Sequence, residues 1–192
     1  MYLNANLRIR WKPYWNNAND LDDKWWATIN VIFDNTASNL EPVQDNRDYD
    51  LVIQLKSYEQ DDFSDVAQNN SAYWYFARNI DNTLKTYDIN LNGTIHRFAV
   101  RYKFFNYPIG DPNYDKNDKV HIKFIPYDNT NPIPYLDHSL KNFIDATRDY
   151  LAFVNITTAE RNLANLKVAD PNLWIKSIAG GFEVYTGAFT IG

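Results

Sequence analysis

The chain has 192 residues, which is long enough for one well-buried core and short for two, so we predict a single domain over 1–192. Its net charge of −5, without any run of Lys or Arg, argues against a nucleic-acid partner. No segment is long and apolar enough to predict a membrane span, and the absence of Cys excludes disulfides and thiolate chemistry.

Short segments in which polar and apolar residues alternate recur along the chain, separated by turns rich in Asn, Asp and Pro. We predict β-strands in these segments, which lie at about 5–13, 24–35, 48–58, 72–79, 84–91, 94–104, 119–127, 173–179 and 181–191. The pair Asn92-Gly93 predicts a hairpin, because both residues tolerate the positive φ angles of a tight turn.

One region departs from the strand period. The apolar residues that follow Ser139 at helical spacing are Leu140, Phe143, Ile144, Leu151 and Val154. They predict one amphipathic helix, and the capping-box spacing of Thr157 and Glu160 predicts a second short helical piece at 158–166. Many strands with one long helix predict an all-β jelly-roll sandwich of two antiparallel sheets, with the helix packed on the outer, convex face.

Three predicted strands carry a carboxylate on the face opposite their apolar residues. These carboxylates are Asp34, Asp50 and Glu183. If the three faces line one groove, the carboxylates converge and can act as the acid pair of a glycosidase. The alternative is that they belong to the solvated side of half-buried strands, which is a common fate of Asp and Glu.

Aromatic residues are a second signal for a glycan ligand, because flat rings stack on the apolar faces of sugars. They make up 16% of the chain, and the tryptophan candidates are Trp11, Trp15, Trp25, Trp26 and Trp74. At alternating positions, half of such residues fill the core instead. The three histidines have no ligand-like spacing and the segment DPNYDKND lacks the Gly and Glu of an EF-hand loop, so we predict no metal and no cofactor.

From about residue 25 onward the chain resembles glycoside hydrolase family 12, the compact jelly-roll endo-β-1,4-glucanases and xyloglucanases. The segment GFEVYTG is similar to the family's G-x-E-x-F-T-G strand, and NVIFD to its N-V-A-Y-D strand. The segment DPNLWIKSIAG is similar to the lead-in to the first of these, and FIPYDNTNPIPYLDHSLKNFIDATRDYL to the family's strand, turn and helix. The resemblance implies a jelly roll that hydrolyses β-1,4-glucan with retention, secreted from the cell, although MYLNANLRIRWKPYW at the N-terminus has no signal-peptide pattern.

The resemblance also implies roles for individual residues. Glu183 corresponds to the general acid/base, Asp50 to the nucleophile and Asp34 to the residue that assists it. Asp50 is one methylene shorter than the family's Glu, and Gln54 stands where the family has a sugar-contacting Trp. The candidate substrate-binding residues are Gln54, Tyr185, Asn30, Trp25 and Trp74. Two alternatives stay open: a non-catalytic glycan-binding or interaction protein on the same fold, and a structural jelly-roll component.

Overall fold

The computed structural model describes residues 7–12, 24–34, 49–57, 74–104, 120–127, 133, 135–153 and 174–186. These residues form nine strands and one helix. In chain order they are β1 (Arg8–Trp11), β2 (Lys24–Asp34), β3 (Tyr49–Ser57), β4 (Trp74–Phe76), β5 (Thr86–Leu91), β6 (Thr94–Phe104), β7 (Val120–Pro126), β8 (Leu136–Ser139), α1 (Leu140–Phe153) and β9 (Trp174–Thr186).

The strands belong to two sheets. The larger has the order β4-β6-β7-β3-β2-β9, with β5 also paired to β6, and the smaller consists of β1 and β8. The fold is therefore an all-β jelly-roll sandwich with one helix among the described residues, as predicted. One pairing differs from the predicted antiparallel sheets, since β3 and β7 run parallel. Alternation has the same period of two in both kinds of sheet, so the sequence pattern does not distinguish them.

Alternate residues of the central strands form the core. Val31 and Phe33 of β2 lie on the same face as Leu51 and Ile53 of β3, and all four are fully buried. The residues between them point to the opposite face, where polar side chains predominate. Each central strand thus contributes to the core with one set of residues and to a second surface with the other.

Helix α1 packs on the apolar face of the larger sheet. Its residues Leu140, Phe143 and Ile144 belong to the same core cluster as Ile9 of β1 and Leu136 of β8. The predicted amphipathic helix, buried along one side, is confirmed. Its placement on an outer, convex face stays a prediction.

Several local predictions have a clear outcome. The hairpin between β5 and β6 is confirmed, with Asn92 at φ 55° and Gly93 at φ 88°. The two strands predicted at 173–179 and 181–191 are one strand, β9, because Gly180 and Gly181 pair with β2 without a turn. Strand β8 was not predicted from the sequence, and the helical piece predicted at 158–166 lies outside the described residues.

Two arginines of β1 and one aspartate of β8 join the strands of the smaller sheet. Arg8 Nε donates a hydrogen bond to Asp137 Oδ1, and Arg10 Nε lies 3.1 Å from Asp137 Oδ2. The hydrogen bond from Arg8 holds the pKa of the Asp137 carboxyl below its ordinary value. A carboxyl whose pKa is lowered by folding stabilises the fold above its unfolded-state pKa and loses this contribution as the pH falls through the folded-state pKa.

We therefore expect Asp137→Asn to lower the free energy of unfolding at neutral pH, and the difference from wild type to shrink in acid. Urea unfolding between about pH 6 and about pH 2 in low salt measures this difference. Added salt should also reduce it, because both arginine side chains are exposed. A difference that stays constant over the whole pH range would contradict the assignment.

Candidate functional site

The larger sheet has a face opposite the core whose residues form three cross-strand rows, and we call it the polar face. From β9 to β6, the first row consists of Ser177, Ile32, Asp50, His121 and Lys103. The second row consists of Ala179, Asn30, Val52, Lys123 and Arg101. The third row, from β9 to β3, consists of Gly181, Thr28 and Gln54.

Four residues of the polar face are buried although they are polar or charged. They are Thr28, Asp50, Gln54 and Lys123. Removing such groups from water costs free energy unless another partner replaces the water. Only 6% of Asp50 is exposed. The alternative interpretation of the sequence pattern, in which this carboxylate belongs to the solvated side of a strand, is therefore wrong for Asp50. The centre of this face is therefore shielded from water although it is polar.

Asp50 lies opposite His121 across the parallel pair of β3 and β7. The distance from Asp50 Oδ2 to His121 Nδ1 is 3.7 Å, which is longer than a hydrogen bond and within the range of an ion pair when the imidazole is protonated. No functional role was predicted for His121 from the sequence. Asp50 and His121 are neighbours because β3 and β7, which are distant in the sequence, pair in parallel. The alternation pattern of the sequence does not predict this pairing.

Cations of the second row lie against aromatic rings. Lys123 Nζ is 3.4 Å from the centroid of the Trp26 ring, and Arg101 Cζ is 5.1 Å from the centroid of the Phe76 ring. Both are cation–π contacts, which are strongest where water is excluded. In the first row, burial lowers the pKa of the Lys103 ammonium.

The contact between Lys123 and Trp26 crosses β3. Lys123 belongs to β7 and lies in the second row, whereas Trp26 belongs to β2 and lies one row beyond the third. Gln54, on β3 in the third row, therefore lies between them. A β-bulge between Ala27 and Thr28 adjoins this point, and bulges bend a strand and redirect its side chains.

Gln54 has no exposed surface, and neither its Nε2 nor its Oε1 has a hydrogen-bond partner among the described residues. Within the same part of the chain, the Oδ1 atom of Asn30 on this face also lacks a partner. Buried amides are nearly always hydrogen-bonded in folded proteins, so each exception calls for an explanation such as a water or a ligand. Both residues were predicted from the sequence as substrate-binding residues, and both lie on the polar face.

The register separates two of the three predicted catalytic carboxylates. Asp50 pairs with Ile32, whereas Glu183 pairs with Trp26, six positions away along β2. At about 3.3 Å per residue this separation is roughly 20 Å along the strand. A retaining glycosidase holds its two carboxyl groups about 5–5.5 Å apart, so the register does not bring Asp50 and Glu183 together as such a pair. Asp34, two residues beyond Ile32, is the closer strand neighbour of Asp50.

For the remaining predicted residues the structure describes only the position of the backbone. Trp25 pairs with Val184 between β2 and β9, and Tyr185 follows directly on β9. Trp74 of β4 pairs with Lys103, so its backbone extends the first row by one strand. The substrate-binding roles of Trp25, Trp74 and Tyr185 stay predictions, as do the individual roles of Asp34 and Glu183.

No protein-family model and no curated protein matches the chain. Among solved structures, it is similar to a thermostable cellulase derived from Cel12A of Rhodothermus marinus, at 16% identity and a TM-score of 0.49, over 95% of this chain and 58% of the cellulase chain. It is also similar to a metagenome-derived glycoside hydrolase family 12 endoglucanase, at 15% identity and a TM-score of 0.49, over 96% of this chain and 57% of the other. A third similar structure, from a comparison of family 12 glycoside hydrolases, has 12% identity and a TM-score of 0.47, over 97% of this chain and 59% of the other.

The chain thus spans less than three fifths of the length of these solved structures. They belong to the family that the sequence motifs resemble. Within the described ranges, no helix is long and apolar enough to cross a membrane, and no cluster of His, Asp and Glu side chains is suited to hold a metal ion.

Proposed function

We propose that this chain binds a polysaccharide of the β-1,4-glucan type on the polar face of its larger sheet. The observation that carries the proposal is Gln54, a fully buried amide whose Nε2 and Oε1 both lack a partner in the part of the chain that the structure describes. An amide offers an acceptor and a donor side by side, and neighbouring sugar hydroxyls offer the complementary donor and acceptor. A sugar that displaced the side chains covering Gln54 would therefore satisfy both atoms at once.

The surroundings of Gln54 suit the rest of a sugar ring. Asn30 Oδ1 in the adjacent row is a further acceptor without a partner among the described side chains. Trp26 supplies an aromatic surface beside the same strand, with Lys123 Nζ 3.4 Å from the ring centroid. Sugars present hydroxyls at their edge and C–H groups on their faces, so a ring can stack on an indole while its hydroxyls bond to amides. The face combines both kinds of contact around one buried point.

The first test replaces Gln54 with leucine, which has a similar size and no polar atom. We expect Gln54→Leu to weaken binding of soluble β-glucan by about tenfold or more, since the loss of two hydrogen bonds in a buried site is of that order. We also expect the free energy of unfolding to rise by about 1–3 kcal/mol, because the buried amide has no partner among the residues that the structure describes. Calorimetric titration and urea unfolding measure the two effects.

The matched control is Asn142→Leu, which removes an exposed amide on α1. Helix α1 packs on the apolar face of the larger sheet, so this amide is not on the polar face. It should leave glucan binding at the wild-type level. If Gln54→Leu binds glucan as tightly as wild type, the proposed site is wrong. If it lowers the free energy of unfolding, the amide has partners in solution and the observation that carries the proposal is removed.

Hydrolysis of the bound glycan is a second candidate function. It is favoured by the buried carboxylate of Asp50, which lies next to His121. Asp50 is also near Asp34, the last residue of β2. Diagonal neighbours on adjacent strands lie about 7–8 Å apart, and inverting glycosidases separate their carboxyl groups by about 6.5–9.5 Å. In that mechanism one carboxyl protonates the leaving oxygen and the other activates a water. The register makes Asp34 a better partner for Asp50 than Glu183 in this respect.

Release of reducing sugar from soluble β-glucan, compared among wild type, Asp50→Asn and Glu183→Gln, tests this second candidate. Loss of release in Asp50→Asn alone supports the pair with Asp34. Loss in both variants supports the retaining pair implied by the family resemblance and contradicts the separation set by the register. Binding without any release leaves the chain a glycan-binding protein.

A further inference from the structure

We propose that Asn92 is a site of spontaneous deamidation, and that its conversion to an acidic residue separates the β5–β6 hairpin from strand β8. The inference does not depend on the proposed function, because none of the residues that we assign to glycan binding lies in this hairpin. It rests on three features: the Asn-Gly pair in an open turn, two hydrogen bonds made by the atoms that react, and the link that one of these bonds forms between the two sheets.

The reaction needs only the residues of the turn and water. The backbone nitrogen of Gly93 attacks the side-chain carbonyl carbon of Asn92, and the new N–C bond closes a five-membered succinimide. The bond from that carbon to Nδ2 breaks, and the amide nitrogen leaves as ammonia with the proton that Gly93 loses. Water then adds to one of the two ring carbonyls and reopens the ring, which yields aspartate or isoaspartate. Asparagine is for this reason one of the thermolabile residues of proteins.

The turn between β5 and β6 is open to this reaction. Asn92 is the only asparagine of the sequence that precedes a glycine, and glycine has no Cβ atom to obstruct the attack. Both residues are exposed in a two-residue turn. A Cβ atom placed on Gly93 would meet no heavy atom of the described residues within 4 Å. Water therefore reaches the reacting atoms.

Two hydrogen bonds hold the atoms that the reaction uses. Asn90 Oδ1 accepts a hydrogen bond from the backbone nitrogen of Gly93 at 3.0 Å, and Asn92 Nδ2 donates one to the carbonyl oxygen of Tyr135 at 3.1 Å. The first bond contains the proton that Gly93 must lose, and the second contains the nitrogen that leaves. Both bonds are exposed to water, so each stabilises the turn only modestly. They slow the reaction, which proceeds when the turn opens.

The hydrogen bond from Asn92 to Tyr135 links the larger sheet to the smaller one. Tyr135 directly precedes β8, and its hydroxyl donates a hydrogen bond to Asp137 Oδ2 at 3.2 Å. An ionised aspartate has acceptors only, so after deamidation residue 92 has no proton to donate to the Tyr135 carbonyl. Isoaspartate also adds a methylene group to the backbone of a turn whose geometry fits two residues. Either product removes the link between the hairpin and β8.

Mass spectrometry of the folded protein during incubation in mildly alkaline buffer tests the reaction. We expect Asn92 to lose its amide before Asn79 and Asn142, which both precede bulky residues. We expect Asn90→Ala to accelerate this loss about fivefold, which is the equilibrium factor of one ordinary hydrogen bond. If Asn92 keeps its amide as long as Asn79 and Asn142 do, the proposed site is wrong. If Asn90→Ala reacts at the wild-type rate, the bond to Gly93 does not protect it.

Asn92→Asp has the side chain of one product and tests the consequence. We expect amide hydrogen exchange in β8 to become about fivefold faster than in wild type, because the loss of one hydrogen bond favours local opening. Exchange in β2 and β3 should not change. The matched control is Asn79→Asp, which alters an amide that donates to Thr83 within its own turn and should leave β8 as in wild type. Unchanged exchange of β8 in Asn92→Asp, or equal acceleration in the control, would overturn the proposed link.

Discussion

Replacing Phe143 with alanine is expected to lower the free energy of unfolding by about 3–5 kcal/mol. Phe143 packs α1 against the centre of the larger sheet. Its ring meets Phe124 at a centroid distance of 5.2 Å and Phe98 at 5.8 Å, both edge-to-face. All three rings are fully buried, so the substitution leaves a cavity where two favourable aromatic contacts had been.

Urea unfolding followed by far-ultraviolet circular dichroism measures this effect. The control is Lys141→Ala on the exposed side of the same helix, where Lys141 pairs with Asp145 one turn later. Exposed pairs at this spacing contribute about 0.2–0.5 kcal/mol, so the control should change little. A loss below about 1 kcal/mol for Phe143→Ala would mean that α1 is not packed on the sheet in solution, because even small buried truncations reach that size.

Replacing Gly180 with alanine is expected to lower the free energy of unfolding by about 1–3 kcal/mol, the usual range for overpacking. A Cβ atom at Gly180 would lie 3.0 Å from Cε2 and 3.2 Å from Cδ2 of the Trp11 ring. Trp11 of β1 packs against the core cluster, so the ring can give way only by disturbing contacts of the smaller sheet. The close approach of indole and backbone is the physical reason for glycine here.

The adjacent Gly181 provides the control. A Cβ atom at Gly181 would meet no heavy atom within 4 Å. Gly181→Ala should therefore raise the free energy of unfolding by about 0.4–1 kcal/mol, because alanine has less conformational freedom than glycine in the unfolded chain. Thermal unfolding of the two variants separates the effects by sign, and a gain of stability in both would show that Trp11 does not cover Gly180.

Most of the fold could be predicted because each strand carries its own alternation. In β3 the apolar residues Leu51 and Ile53 alternate with Asp50 and Gln54, and this pattern predicted both the strand and its buried side. Strand β8 escaped prediction because its four residues, LDHS, are too few to establish a period before the helix begins. The parallel alignment of β3 and β7 escaped because alternation is indifferent to direction.

The site could be predicted only in part. Period-two reasoning placed Asn30, Asp50 and Gln54 on one face, and the register agrees. It could not predict that Lys123 and Trp26 meet across β3, because a strand pattern carries no information about which strands are neighbours. The family motifs occur in a fixed order along the sequence. That order does not indicate the distance between two residues along the strands of the sheet. The separation of Asp50 from Glu183 is a property of register alone.

The parallel pair of β3 and β7 determines when the polar face forms during folding. Strands β5 and β6 are joined by a tight turn and can pair early, whereas Tyr49 and Val120 must close a long loop before their strands align. Contacts between distant segments generally form slowly. Gln54 and Lys123 lie on the two sides of that late junction, so the glycan binding that we propose would report the fraction of molecules that have completed folding.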